Sequence, residues 1–239
     1  IPAESVANFT QVVAKFSATT NVGVEEAATN IGRLAQLTGT ASSEYENLGS
    51  AIYQVGVTSV ATESEILDMG SQIATAGDLA GFSNTQIIAL ASALASLGVQ
   101  PEAARGSLQR IFNIIENGAT SSTAATQKLA DATGMTLDQL KALWKQGDAG
   151  SQQVFSAFVQ GLQKMQNAGE NTTNFLKSMG INAVRDQRLL QVLANNTDVY
   201  TQALENSASA YSDATALAAG YAKQTDNVAN NFQTLMNTL

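Results

Sequence analysis

Cysteine and histidine are both missing from the 239 residues, and proline occurs only twice, at Pro2 and Pro101. Without them no disulfide framework and no Cys- or His-ligated metal site can be built, and the commonest general base is unavailable. Charge is scarce too: 13% of residues are Asp, Glu, Lys or Arg, so Ser, Thr, Asn and Gln must cover much of the surface. A surface so lightly charged suits self-association or a sheltered position better than free life in the cytosol. The balance is acidic, net −8 with pI near 4.5, and residues 1–100 carry Lys15 and Arg33 against nine acids. Phosphate binding needs clustered Lys and Arg, and no basic stripe is present, so no direct nucleic-acid binding is expected. Arg185 and Arg188, the closest arginine pair, read as a solvated helix face. The longest apolar run, Ile87 to Leu97, is interrupted by Ser92 and Ser96 and falls short of the ~20 residues that span a bilayer. It reads as a buried helix. The start at Ile1-Pro2 has neither an initiator methionine nor a basic stretch before an apolar core, so no signal peptide is visible, and Ile1 reads as a cut within something longer.

What the chain does have is a recurring corner. Gly23, Gly56, Gly81, Gly98, Gly134 and Gly180 are each followed by an apolar residue and then, in most cases, by a polar residue able to open a helix. Glycine in the left-handed conformation closes one helix, the apolar side chain folds back on its last turn, and Ser, Thr or Asn caps the next. An all-α fold follows, a compact array of short helices joined by these Gly-apolar-Ser/Thr corners. Apolar spacing predicts helices over Pro2 to Phe16 and Val24 to Leu37, the latter stopped by Gly39. Capping boxes are expected at Ser43/Glu46, Thr62/Glu65, Ser83/Gln86 and Thr136/Gln139. Pro101 opens a sixth helix at its first position. The corners are irregularly spaced, which argues against a fixed-repeat solenoid.

Residues 118–126 are small and polar and offer a boundary inside the domain or, equally, a capped turn. Beyond them come a short helix with Trp144 as a core anchor, the turn Gly147 to Gly150, and helices marked by Val154 to Met165 and by Val184 to Leu193. From residue 197 the pattern changes. Tyr200, Leu204, Ser207, Tyr211, Ala214, Ala218, Tyr221, Thr225, Val228, Phe232, Leu235 and Leu239 follow one another at steps of four and three. That period of 3.5 predicts a long C-terminal helix that supercoils with partners; the alternative is an amphipathic helix packed back on the domain. The chain divides accordingly into a helical domain, 1–196, and a long helix or start of a rod, 197–239.

The sequence offers no phosphate-binding loop, zinc motif or calcium loop, and no cofactor is expected. The carboxylate pairs Glu25/Glu26, Glu44/Glu46 and Glu63/Glu65 all fall in first turns of helices, where acids cap and complement the dipole. No residue demands catalysis, and the chain is expected not to be an enzyme.

The run from Leu48 to Phe112 resembles the core region of phage tail tape measure proteins. The likeness rests on Ile66-Leu67-Asp68-Met69, on Ala80-Gly81-Phe82-Ser83-Asn84-Thr85-Gln86, and on Ser96-Leu97-Gly98-Val99-Gln100-Pro101-Glu102-Ala103-Ala104. It continues through Leu129 to Thr136, Met179-Gly180-Ile181 and Leu189 to Asn196, with Gln100 standing where Ser or Asp is usual before the proline. The resemblance implies a structural protein of a long-tailed bacteriophage or prophage. Such a protein lies inside the tail tube, templates tube assembly in the host cytoplasm, sets tail length and is released during DNA ejection. It also implies partners: further copies of itself, three or a multiple, the tail tube protein, tip or baseplate hub proteins, and tail assembly chaperones. Membrane contact is expected only during infection. Two other roles known among relatives, an envelope-penetrating or channel-forming factor and a cell-wall hydrolase, remain as alternatives.

Overall fold

The computed structural model describes residues 5–121 and 124–238, with side chains at all of these except 148, 149, 232–235, 237 and 238. The described residues are all-α, with no strand. Thirteen α-helices follow one another: α1 (Val6–Thr19), α2 (Val24–Leu37), α3 (Tyr45–Thr58), α4 (Glu63–Leu79), α5 (Asn84–Ser96), α6 (Pro101–Thr120), α7 (Ala124–Thr133), α8 (Leu137–Gln146), α9 (Asp148–Asn167), α10 (Thr172–Ser178), α11 (Val184–Asn195), α12 (Thr197–Asp213) and α13 (Ala216–Thr238), with a 3₁₀ turn at Ser42–Glu44 before α3.

The helix α5 is the axle of the first half. Eight consecutive residues, Ile87 to Leu94, are buried, so the helix is covered on every side, as the apolar run requires. The helices α3, α4 and α12 supply the cover. Around α9 a second group forms, with α7, α8 and α11 packed on it and α6 joining them to α4. The halves share one apolar core. At their junction Phe82, Phe112 and Phe155 contact one another with ring centroids 5.0–5.9 Å apart, and Tyr200 closes the cluster against Phe155 at 6.1 Å. Trp144 lies at the edge of this core with 9% of its surface exposed.

Close helix approach in the second half depends on glycine. A Cβ added at Gly161 would run into the carbonyl oxygen of Ala132 on α7, and one at Gly150 into that of Leu143 on α8. Both glycines face backbone, which cannot move aside as a side chain can.

Most local devices match the sequence. Thr62, Ser83 and Thr136 open α4, α5 and α8, each with a reciprocal bond from its own N–H to the Glu or Gln three residues on, at 2.8–2.9 Å. The expected box at Ser43/Glu46 does not form. The chain turns one residue pair earlier, Glu44 accepts from the Ala41 N–H at 3.3 Å, and Glu46 is drawn instead to Lys15 on α1 at 2.8 Å. The helices α7 and α10 were not visible in the pattern, being short and rich in Thr, Asn and Ala.

The single long helix expected over 197–239 is not formed; two helices stand there. The residue Ala214 takes a left-handed conformation, φ +53°, and ends α12. Packing against α3 and α5 explains the break. The α12 side chains of the seam, Tyr200 and Ser207 fully and Leu204 and Tyr211 partly, turn into the domain. On α3 the Asn47 amide donates to the Tyr211 carbonyl at 2.7 Å, and Ser50 accepts from the Leu217 N–H at 3.3 Å. Those bonds hold both sides of the break. Beyond it the register slips by one: Leu217 is buried, and the expected seam residue Ala218 is exposed.

Candidate functional site

Four of the six corner glycines take the left-handed conformation. Gly81 and Gly98 take φ of +77° and +71°, and the residues after them fold back: Phe82 N–H bonds the Gly77 carbonyl at 2.9 Å and Val99 N–H the Leu94 carbonyl at 3.0 Å. Gly134 and Gly180 share that conformation. Gly23 and Gly56 do not. Gly23 is extended, φ −63° and ψ 151°, and opens α2 as its N-cap. Gly56 lies inside α3, where its missing side chain admits Glu63 from the start of α4. Pro101 sits in the first turn of α6.

The acidic pairs serve local structure. Glu65 is the capping partner of Thr62, whose backbone N–H and then hydroxyl hold the carboxyl below its ordinary range. Glu26 accepts from Ser64, tying α2 to α4. Asp68 is pushed above the ordinary carboxylate range, first by burial and then by the charges of Glu102 and Glu26. Among the described residues no cluster of acids could hold a metal ion, and no helix is long and apolar enough to cross a membrane.

The seam divides in two. Tyr200, Leu204, Ser207 and Tyr211 face the domain and Ala214 makes the break. From Tyr221 to Asn231 every residue of α13 is exposed, Tyr221 at 38% and Val228 at 62%. The first turns of α13 touch the body. There Leu217 lies against α3, and the Tyr53 ring rests on Gly220, 2.5 Å from where a Cβ would stand. The side chains of Phe232 and Leu235, and Leu239 altogether, lie outside the described residues.

Two arginines read from the sequence as a solvated face border a cavity. Arg185 and Arg188, on the exposed side of α11, flank a hollow of about 350 Å³ between α11 and the α5–α6 corner. Beside it Arg110 of α6 grips Asp186 with two bonds, Nε to Oδ2 at 2.8 Å and Nη2 to Oδ1 at 2.6 Å. Only 3% of the Asp186 side chain is exposed, so the fork supplies the counter-charge for a buried carboxylate. The sequence signal was weak: i, i+3 arginines mark a face, and only the fold brings α6 to it.

Residues 1–180 match the family model described as phage-related minor tail protein. No curated protein and no solved structure matches the chain. The matched span runs from α1 to the Gly180 corner and includes both the α5 axle and the α9 group. By that match over three quarters of its length, the chain belongs to the phage-related minor tail protein family and is a virion-associated tail protein.

Proposed function

We propose that this chain is part of a tape measure, a non-catalytic protein that templates tail tube assembly inside the tube, sets tail length and leaves during DNA ejection. The observation that carries the proposal is the exposed stretch of α13. Eleven consecutive helical residues, Tyr221 to Asn231, are exposed while Tyr221 and Val228 keep the seven-residue step that suits a coiled coil. A helix rises about 1.5 Å per residue, so a bundle of such helices converts chain length into distance. In this role the exposed seam pairs with further copies of the chain, three or a multiple. The helical body then meets the tail tip, the tube subunits and the assembly chaperones.

The test is tail length by electron microscopy after inserting four copies of the heptad Tyr221 to Asn227 behind Asn227 in the phage gene. The expected result is a tail longer by about 42 Å, the rise of 28 helical residues. Unchanged length in tails that assemble normally overturns the ruler assignment for this segment.

A further inference from the structure

The cavity flanked by Arg185 and Arg188 is built from three segments distant in sequence. The corner before α6 gives Leu97 and Val99, α6 gives Ala103 and Ser107, and α11 gives Leu189 and Val192 with the two arginines. The walls are aliphatic and the cations stand on the exposed side. At about 350 Å³ the space has room for a few side chains and lies at the lower end of the range for small-ligand pockets.

Three observations point to what fills it. Among the described residues neither arginine has a carboxylate within ion-pair distance, although the chain carries eight more acidic than basic groups. Asp186, the nearest acid on their own helix, is already committed to Arg110. Ser107, 1% exposed and lining the cavity, has a buried hydroxyl with no hydrogen-bond partner. A buried hydroxyl left unpaired is unfavourable, and a backbone carbonyl of a bound peptide would supply the acceptor.

The other side of the same corner has the opposite character. Glu65 and Asp68 line a neighbouring cleft that shares Gly98, Val99 and Gln100 with the arginine cavity. Acidic groups are thereby repelled from one side and drawn to the other. No aromatic ring lines the arginine cavity, so nothing there stacks a base, whereas an aliphatic side chain matches the walls.

We propose that this cavity is a docking site for an acidic peptide segment of a partner protein, with an aliphatic side chain seated against Leu97, Val99 and Leu189 and a neighbouring carboxylate held by Arg185 and Arg188. The inference is independent of the ruler assignment. Binding is read on the isolated 239-residue chain, and tail length plays no part.

The test is calorimetric titration with acetyl-Glu-Leu-Glu-Leu-Glu-Leu-amide, its Gln-Leu counterpart, hexaglutamate and a twelve-nucleotide oligo(dT). The Glu-Leu peptide should bind at least tenfold more tightly than the other three: over the Gln-Leu peptide by its charge-assisted bonds to the two arginines, and over hexaglutamate and oligo(dT) by burial of a leucine side chain against the aliphatic walls. The double variant R185Q/R188Q, whose positions are exposed, should lose about tenfold, and A103L, which fills the cavity without altering charge, should lose as much while remaining folded by circular dichroism. Equal binding of the Gln-Leu peptide, tighter binding of oligo(dT), unchanged affinity in both variants, or no binding at all overturns the proposal.

Discussion

Leu217 lies directly over Gly49: a Cβ placed on that glycine would stand 3.0 Å from Leu217 Cδ2 and 2.9 Å from Val12 Cγ1. One missing methyl on α3 thus lets α13 settle between α1 and α3. Gly49→Ala should cost about 1–2 kcal/mol net, overpacking of about 1–3 kcal/mol set against the roughly 1 kcal/mol that alanine gains over glycine inside a helix. Urea denaturation measures the cost. Amide exchange should quicken at 216–220 before it does in α5, because the added methyl pushes directly on the root of α13.

Ala214→Gly should act in the other direction. The left-handed backbone at φ +53° is strained for alanine by about 1–2 kcal/mol, while glycine adopts it freely but loses more entropy on folding. A net gain of about 0.5–1 kcal/mol is expected in the urea midpoint. Ala214→Val, with a branched side chain in the same conformation, should lose stability.

Removing Arg110 leaves the buried Asp186 carboxylate without its fork. R110A should destabilise the chain by about 1–3 kcal/mol, because the buried Asp186 carboxylate loses its counter-charge while water at the half-exposed Arg110 position offsets part of the loss. R110K should recover only part of this, since an ammonium cannot reproduce the two parallel bonds. Thermal unfolding of the three proteins at low and high salt provides the comparison.

Asp68 gives a pH dependence of known sign. Its folded value lies above the ordinary 3.8, so the folded state favours the protonated acid. Its contribution is most favourable below that value and is lost as pH rises through the folded one. D68N should therefore be more stable than the parent at pH 7, with the gap closing below pH 3.8. Glu65 runs oppositely: its lowered value stabilises above 4.5 and that stability is lost as pH falls. Urea curves from pH 3 to pH 7 separate the two through E65Q.

The features legible in the sequence are those decided within four or five residues. The boxes at Thr62, Ser83 and Thr136 and the corner at Gly81 are closed by bonds between near neighbours, so the local pattern contains their cause. Gly23 and Gly56 carry the same local pattern and behave differently, because the outcome there depends on Glu63 and on where α2 must begin. The break at Ala214 has no glycine or proline to announce it. Its causes are Asn47 and Ser50, which lie 164 and 167 positions away from their partners Tyr211 and Leu217. The arginine cavity is of the same kind, since Ala103 and Arg188 meet only once α6 and α11 are joined by Arg110 and Asp186.

The seating of α13 also fixes how the molecule carries tension. Its first turns touch α1 and α3, while the buried stretch of α5, Ile87 to Leu94, packs against α3 and α12. A pull on the far end of α13 therefore loads Leu217 and the Tyr53 ring on Gly220 first. The outermost helix can be drawn away from its seat while the axle of the domain stays folded, so the strength of the anchor and the stability of the body are set by different residues.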